Sequence, residues 1–306
     1  MCPPEQDRQS STAIERLARC VEELLPPNVA LMQFFIATRD EEEARRTLEA
    51  GIQSATLRHC GGALAKLQAM KALWDHAPDA YATIAAIHDL VRHAAEGAAD
   101  SRIDQFADLF DRAAAISPAA GVALYSLGEP RLLDDATQEI VARMREWKVF
   151  NAATRVIEIG CGGGRFLSAL APLVGSVVGI DISENMLMAA RARIAGLSNV
   201  MALRGSGRDL SAAGAGPFDL VLAVDSFPYL VDADVAETHF AECARLLSEE
   251  GWLLIFNFSY RGDLAADMKN VACLAARFGF SVLRNGTKDL ALWDGTTFLL
   301  RRMPSC

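Results

Sequence analysis

Along the first third of the chain, apolar residues return every three or four positions. Ile14, Leu17, Val21 and Leu24-Leu25 form one stripe, ended by Pro26-Pro27. A second follows Gly61-Gly62 with Leu64, Leu67, Met70 and Leu73, and a third runs through Ile84, Ile87, Leu90 and Val91. Ser101 stands as a cap before a fourth, Ile103, Phe106, Leu109 and Phe110. Asp40 followed by Glu43 predicts a helix start, and Glu41–Arg45 and Glu42–Arg46 are i,i+4 pairs on its solvated face. No alternating pattern appears before Ile116, so this part predicts helices alone.

The pattern changes after the stretch from Pro118 to Pro130, which is rich in Gly and Pro. One more amphipathic helix, through Leu132-Leu133, Ala136, Ile140, Met144 and Trp147, leads into short apolar runs separated by helical stripes. The runs are Val156–Ile159, Ser176–Ile182, Asn199–Leu203, Phe218–Asp225 and Trp252–Phe256, with Phe280–Leu283 and Thr297–Arg301 closing the chain. Runs that are apolar throughout belong to strands covered on both faces, as in a parallel sheet flanked by helices. Between them the spacing predicts helices through Met186, Leu187, Ala190 and Ile194, from Asp232 to a stop at Gly251, and from Leu264 to Phe278. The expected organisation is a disordered start at residues 1–10, a helical cap domain at 11–125 and an α/β domain at 126–306.

With 306 residues, 51% of them hydrophobic and 23% charged, the chain has the balance of a soluble globular protein. A net charge of −9 argues against a nucleic-acid partner, because neutralising phosphates needs a basic face. The apolar run from Val29 to Ala37 is broken by Gln33 and too short to span a bilayer. Met1-Cys2-Pro3-Pro4-Glu5 lacks the basic and apolar parts of a signal peptide, which leaves a cytoplasmic location and no membrane partner as the expectation. Seven scattered cysteines, including Cys306, without C-x-x-C spacing, read as reduced thiols. His59, His76, His88 and His93 have no partners at ligand spacing, so no metal is expected.

The candidate chemistry lies at Val156-Ile157-Glu158-Ile159-Gly160-Cys161-Gly162-Gly163-Gly164-Arg165-Phe166. A strand, a glycine turn and a helix with an amide-rich N-terminus make a nucleotide-cofactor site. The dinucleotide fingerprint counted from Gly160 needs glycine where Arg165 stands; the glycines fall instead at 160, 162 and 164. Glu158 sits at the strand end, where a carboxylate suits a cationic amino group. Asp181, ending the second run, is placed for ribose hydroxyls. These features resemble the class I S-adenosylmethionine-dependent methyltransferases, over roughly Leu132 to the C-terminus.

The resemblance implies a seven-stranded Rossmann-like sheet, mostly parallel with the last strand antiparallel, beside the all-helical N-terminal domain. It implies S-adenosylmethionine as cofactor, held by Glu158, Gly160, Gly162 and Gly164 at the amino-acid end and by Asp181 and Ile182 at the ribose. Met186 stands where the family rests a side chain on adenine. Ser206 stands where an acid usually receives the adenine amino group, so recognition there leans on the Gly207 amide. Tyr125, just upstream, is the candidate to cover the amino-acid end, with packing of the junction as the other reading. Asp209 is expected to cap the next turn. The N-P-P-Y box of enzymes that methylate nucleic-acid amino groups is absent; Asp225-Ser226-Phe227-Pro228-Tyr229 stands there.

Ligands of an open α/β sheet bind at the carboxyl ends of its strands, which nominates Asp225, Tyr229, Asn257 and Tyr260 on the acceptor side. Asp225, which also borders the cofactor, could steer an amine, deprotonate a hydroxyl or simply accept backbone amides. Tyr229 and Tyr260 would give a hydroxyl or an aromatic wall, or pack the core. His239, on an apolar helix face, reads as a packed histidine and Cys161 as a small tolerated side chain. The expected function is methyl transfer to a small molecule. Reaction at the cofactor's aminocarboxypropyl arm, or non-catalytic binding, are the alternatives. The helical domain is open to three roles: lid, homodimer surface or plain structure.

Overall fold

The computed structural model describes residues 12–96 and 102–304. Residues 1–10, Cys2, Ser101, Cys306 and the side chain of His93 lie outside the described residues. The chain divides into two compact units and passes between them several times, once inside helix α8, Pro130–Glu146.

The first unit takes in the described residues as far as Ala95, then Ile116–Ala136 and Ala291–Asp294. It holds α1 (Ala13–Glu22), α2 (Pro27–Ala37), α3 (Glu41–Leu57), α4 (Gly61–His76), α5 (Ala80–Glu96) and the short α7 (Pro118–Val122). Thr12 and Glu15 cap α1 reciprocally, and the Asp40 carboxylate accepts the Glu43 amide at the start of α3. Leu31, Phe34, Met70, Trp74 and Ile84 make the core, with Phe35 edge-on to Trp74 at 4.6 Å and to Tyr81 at 5.2 Å. Asn28 is buried in it. Its Nδ2 donates to the carbonyls of Tyr125 and Leu292, each at 2.9 Å, and so ties three distant stretches together.

The second unit comprises the described residues within Glu96–Ala115, Thr137–Leu290 and those from Gly295 onward. Its sheet has the order β3-β2-β1-β4-β5-β7-β6. The strands are β1 (Arg155–Ile159), β2 (Ser176–Asp181), β3 (Val200–Arg204), β4 (Phe218–Val224), β5 (Leu247–Phe256), β6 (Phe280–Lys288) and β7 (Thr296–Arg302). β1 to β5 pair in parallel, and β7 runs antiparallel to both β5 and β6. Val156, Ile157, Leu220–Ala223 and Leu253–Phe256 have no exposed surface on either face, which is why these runs are apolar at every position. The helices of this unit are α9 (Arg165–Leu170), α10 (Glu184–Arg193), α11 (Phe227–Asp232), α12 (Ala236–Leu246) and α13 (Leu264–Phe278). Helix α6 (Arg102–Ile116) groups here too, although its sequence pattern continues that of the helical region. The strand order reverses at β1, which places the opening for a ligand at the carboxyl ends of β1 and β4.

The sequence pattern and the structure differ around β5. Asp232 ends α11 instead of starting a long helix, and α12 stops at Leu246. Gly251 lies inside β5, because Leu247 already pairs with Phe218 and the register then shifts before Leu220 meets Trp252. A Cβ at Gly251 would stand 2.9 Å from the Ser248 carbonyl oxygen, so this glycine serves the irregular strand. β6 is longer than its apolar run because register shifts at Val282/Arg284 and Asn285/Thr287 break the alternation.

Candidate functional site

The loop after β1 is shaped by its glycines. Gly160 has φ of +70°, and a Cβ there would fall 2.5 Å from Ser226 Cβ. The Gly160 and Cys161 amides both donate to the Ile180 carbonyl, at 2.8 and 3.0 Å, and strap the loop to β2. Gly164, with φ of +74°, precedes α9 and lies so close to Ala190 that a Cβ would stand 3.0 Å from its Cα. The Gly162 amide donates to Asp181 Oδ2 at 2.7 Å, and the Ser183 amide to Asp181 Oδ1 at 2.9 Å. Asp181 is thus fixed beside the loop with acceptor capacity remaining on each oxygen. Burial pushes its pKa up, against these backbone donors. Cys161 is buried against Gly179, where a Cβ would meet its sulfur at 2.8 Å. Burial pushes its pKa well up, so it is a neutral packing group rather than a nucleophile.

Glu158 is 2% exposed, and its Oε2 has no hydrogen-bond partner among the described residues. Burial raises its pKa well above the ordinary value of 4.5, with the Arg165 cation opposing. Arg165 is itself buried, reaching Thr137 Oγ1 at 3.3 Å and lying 4.6 Å over the Phe166 ring. The residue that spoils the dinucleotide fingerprint therefore has its own place beside the acid.

Around the nucleoside end, Ile182 is half-buried and Met186 fully buried, its amide donating to Ser183 Oγ at 3.1 Å. Gly207 has φ of +71°. Ser206 is exposed, and its hydroxyl accepts from the Arg208 amide at 3.1 Å. Asp209 accepts from the Ser211 amide and hydroxyl at 3.0 and 2.6 Å, which caps the turn and lowers its pKa. Tyr125 belongs to the first unit, buried there with its ring stacked on Trp293 at 5.3 Å.

At the ends of β4 and β5 the structure brings Asp225, Tyr229, Asn257 and Tyr260 together. Asp225 and Asn257 both adopt positive φ, +58° and +59°, a region that costs a non-glycine residue of order 1 kcal/mol or more. Asn257 Nδ2 donates to Asp225 Oδ1 at 2.8 Å, while its Oδ1 accepts the Thr296 amide at 2.9 Å. Tyr260 lies against Asp225 and Tyr229, and the two tyrosine rings meet edge-on at 5.7 Å. Half of the Tyr260 surface is exposed. Burial first and Asp225 second push both tyrosine pKa values up, which keeps the hydroxyls protonated at neutral pH. His239 is buried, with Nδ1 on the Val235 carbonyl at 2.9 Å and its pKa lowered by desolvation. Among the described residues no group of His, Cys, Asp and Glu could hold a metal ion.

Residues 156–251 match the family model of a methyltransferase domain. Over this segment the chain is similar to a methyltransferase domain. The chain is 33% identical over 143 residues to a ubiquinone biosynthesis O-methyltransferase of Thiobacillus denitrificans, covering 46% of this chain and 58% of that protein. It is 34% identical over 148 residues to the nocamycin O-methyltransferase of Saccharothrix syringae, covering 47% of each. The match thus spans about half the length of these relatives. Among solved structures, the magnesium protoporphyrin IX methyltransferase of Synechocystis superposes with a TM-score of 0.52, at 19% identity, over 67% of this chain and 99% of that one. The phosphoethanolamine N-methyltransferase 1 of Haemonchus contortus gives 0.53 at 17% identity, over 69% and 51%. At such identities the likeness shows the fold.

Sequence reasoning missed the place of α6 beside the matched segment. Phe106 and Phe110 meet the Tyr229 ring edge-on at 5.0 and 4.9 Å, and Arg102 pairs with Asp232 at 2.6 Å. The stripe of Ile103, Phe106 and Leu109 marked a buried face but carried no information on what would bury it.

Proposed function

We propose that this protein is an S-adenosylmethionine-dependent methyltransferase acting on a small-molecule acceptor. The observation that carries the reading is Glu158: a carboxyl buried beside a glycine turn, with one oxygen lacking any partner in the described protein. A buried orphan acceptor is costly unless a ligand supplies the donor, and an ammonium group fits it. Asp181 is fixed by two amides with capacity to accept ribose hydroxyls. Ile182, Met186 and Gly207 offer an apolar place for adenine, with Ser206 and the Gly207 amide at its edge. Bound there, the cofactor would supply a methyl group already activated by a sulfonium.

The chain's own residues then chiefly position and exclude water. Asp225, held by Asn257, is the group that would take the acceptor's proton or steer its charge, and the protonated Tyr229 and Tyr260 hydroxyls would orient it. The named O-methyltransferase relatives favour an oxygen acceptor. The net charge of −9 disfavours nucleic acid. No helix among the described residues is long and apolar enough to cross a membrane, and a cytoplasmic location is part of the proposal. A homodimer through the first unit is a further part of this reading.

Calorimetric titration with S-adenosylmethionine, S-adenosylhomocysteine and a nicotinamide dinucleotide tests the cofactor. Tight binding of the dinucleotide alone would overturn the assignment. Incubation with cofactor and a metabolite extract, followed by mass analysis, tests the reaction. S-adenosylhomocysteine is the expected product; methylthioadenosine above the spontaneous background would move the chemistry to the aminocarboxypropyl arm, and no turnover at all would leave a binding protein.

A further inference from the structure

Helix α6 lies outside the segment matched by the family model, yet its contacts converge on the residues nominated for the nucleoside. A Cβ at Gly207 would stand 2.8 Å from Ile103 Cγ2 and 2.9 Å from Ile182 Cγ2, so the three residues meet at one point. Farther along α6, Asp111 Oδ1 accepts from the Ser183 hydroxyl at 2.5 Å and from the Asn185 amide at 3.0 Å. Its backbone carbonyl accepts from Asn185 Nδ2 at 3.0 Å. Ser183 is the residue whose amide donates to Asp181 and whose hydroxyl caps α10. One helix thus touches the apolar wall after β3 and grips the turn that orients the ribose carboxylate.

We propose that α6 is part of the cofactor site, with Ile103 a wall of the adenine pocket and Asp111 a positioning residue that acts on Asp181 through Ser183. The inference rests on the S-adenosylmethionine reading above. Side chains carry it: Ile103 is 7% exposed and packs where glycine alone fits opposite, so a shorter residue opens a gap at the adenine wall. Removing the Asp111 carboxylate frees the Ser183 hydroxyl and the Asn185 amide together, and the turn that carries Asp181 loses its outer anchor. The remaining α6 contacts, Arg102 with Asp232 and Phe106 with Tyr229, are left in place by either change.

The test uses the full chain and S-adenosylhomocysteine as probe. Ile103→Ala should weaken its binding about tenfold, the size expected for an apolar contact of a few methyl groups. Asp111→Ala should weaken it severalfold, and the penalty should vanish with the 2′-deoxyribose form of the probe, which a merely structural loss would not do. On the unaltered protein, amides of α6 should gain protection from hydrogen exchange when the probe binds, which keeps the test independent of how the variants fold. Binding within twofold in Ile103→Ala, or unchanged exchange in α6, would overturn the inference while the cofactor reading stands. Failure of the unaltered protein to bind the probe would overturn both.

Discussion

The two halves of the site are built by different means. On the β1–β2 side, geometry is set by the backbone: three left-handed glycines, amides aimed at Asp181 and an acid buried in a strand. On the β4–β5 side, it is set by side chains reaching across loops: Asn257 holding Asp225, Tyr260 against Tyr229, and the rings of α6 behind them. A backbone cradle serves a ligand that never changes. A cradle of side chains can be altered one residue at a time, which suits the partner that differs between relatives.

Four experiments press on that contrast. Gly160→Ala should be the most damaging, because the new Cβ meets Ser226 Cβ at 2.5 Å in a backbone conformation that L-residues avoid. A loss of ~3 kcal/mol in chemical denaturation, together with loss of cofactor binding, is expected. Asp181→Ala should fold but bind S-adenosylhomocysteine ~2–3 kcal/mol more weakly by calorimetry, the worth of hydrogen bonds to a charged group. Unchanged affinity there would remove the ribose role.

Tyr260→Phe and Tyr229→Phe should leave cofactor affinity within about twofold and slow product formation by roughly tenfold or more. A matching drop in cofactor affinity would mean that the halves are not separable. The smallest effect concerns Glu158. Burial lifts its pKa above the ordinary value of 4.5, so the unfolded chain gives up the proton first and ionisation opposes folding as pH rises through that value. Glu158→Gln should therefore raise ligand-free stability at neutral pH by on the order of 1 kcal/mol, a gain that fades towards pH 4.5. The same change should weaken cofactor binding. A melting point that is equal at both pH values would show the carboxyl to be solvated.

The contrast also governs what was legible in the chain. Apolar runs and glycine spacing reported β1, β2 and the turn between β1 and α9, because backbone requirements are written locally. The acids at 158 and 181 stood at strand ends, where the sheet rule makes position informative. Asp225, Tyr229 and Tyr260 were nominated by the same rule, but the Asn257–Thr296 clasp depends on β7 lying beside β5 and has no local trace. The place of helix α6 was hidden for the same reason: a stripe says that a face is buried and nothing about the surface that covers it. Gly251 misled because a glycine after a helical stripe usually ends a helix, and here it lies in an irregular strand.

The short stretch Ala291–Asp294 bears on the order in which the chain folds. It lies between β6 and β7 in sequence but belongs to the first unit, where the Leu292 carbonyl receives Asn28, 264 positions earlier, and Trp293 stacks on Tyr125. On the ribosome, the helices holding Asn28 emerge first and must wait for nearly the whole chain before this pairing can close. The first unit thus finishes last, so a nascent chain halted before residue 291 should display the Tyr125 ring to solvent or to a chaperone.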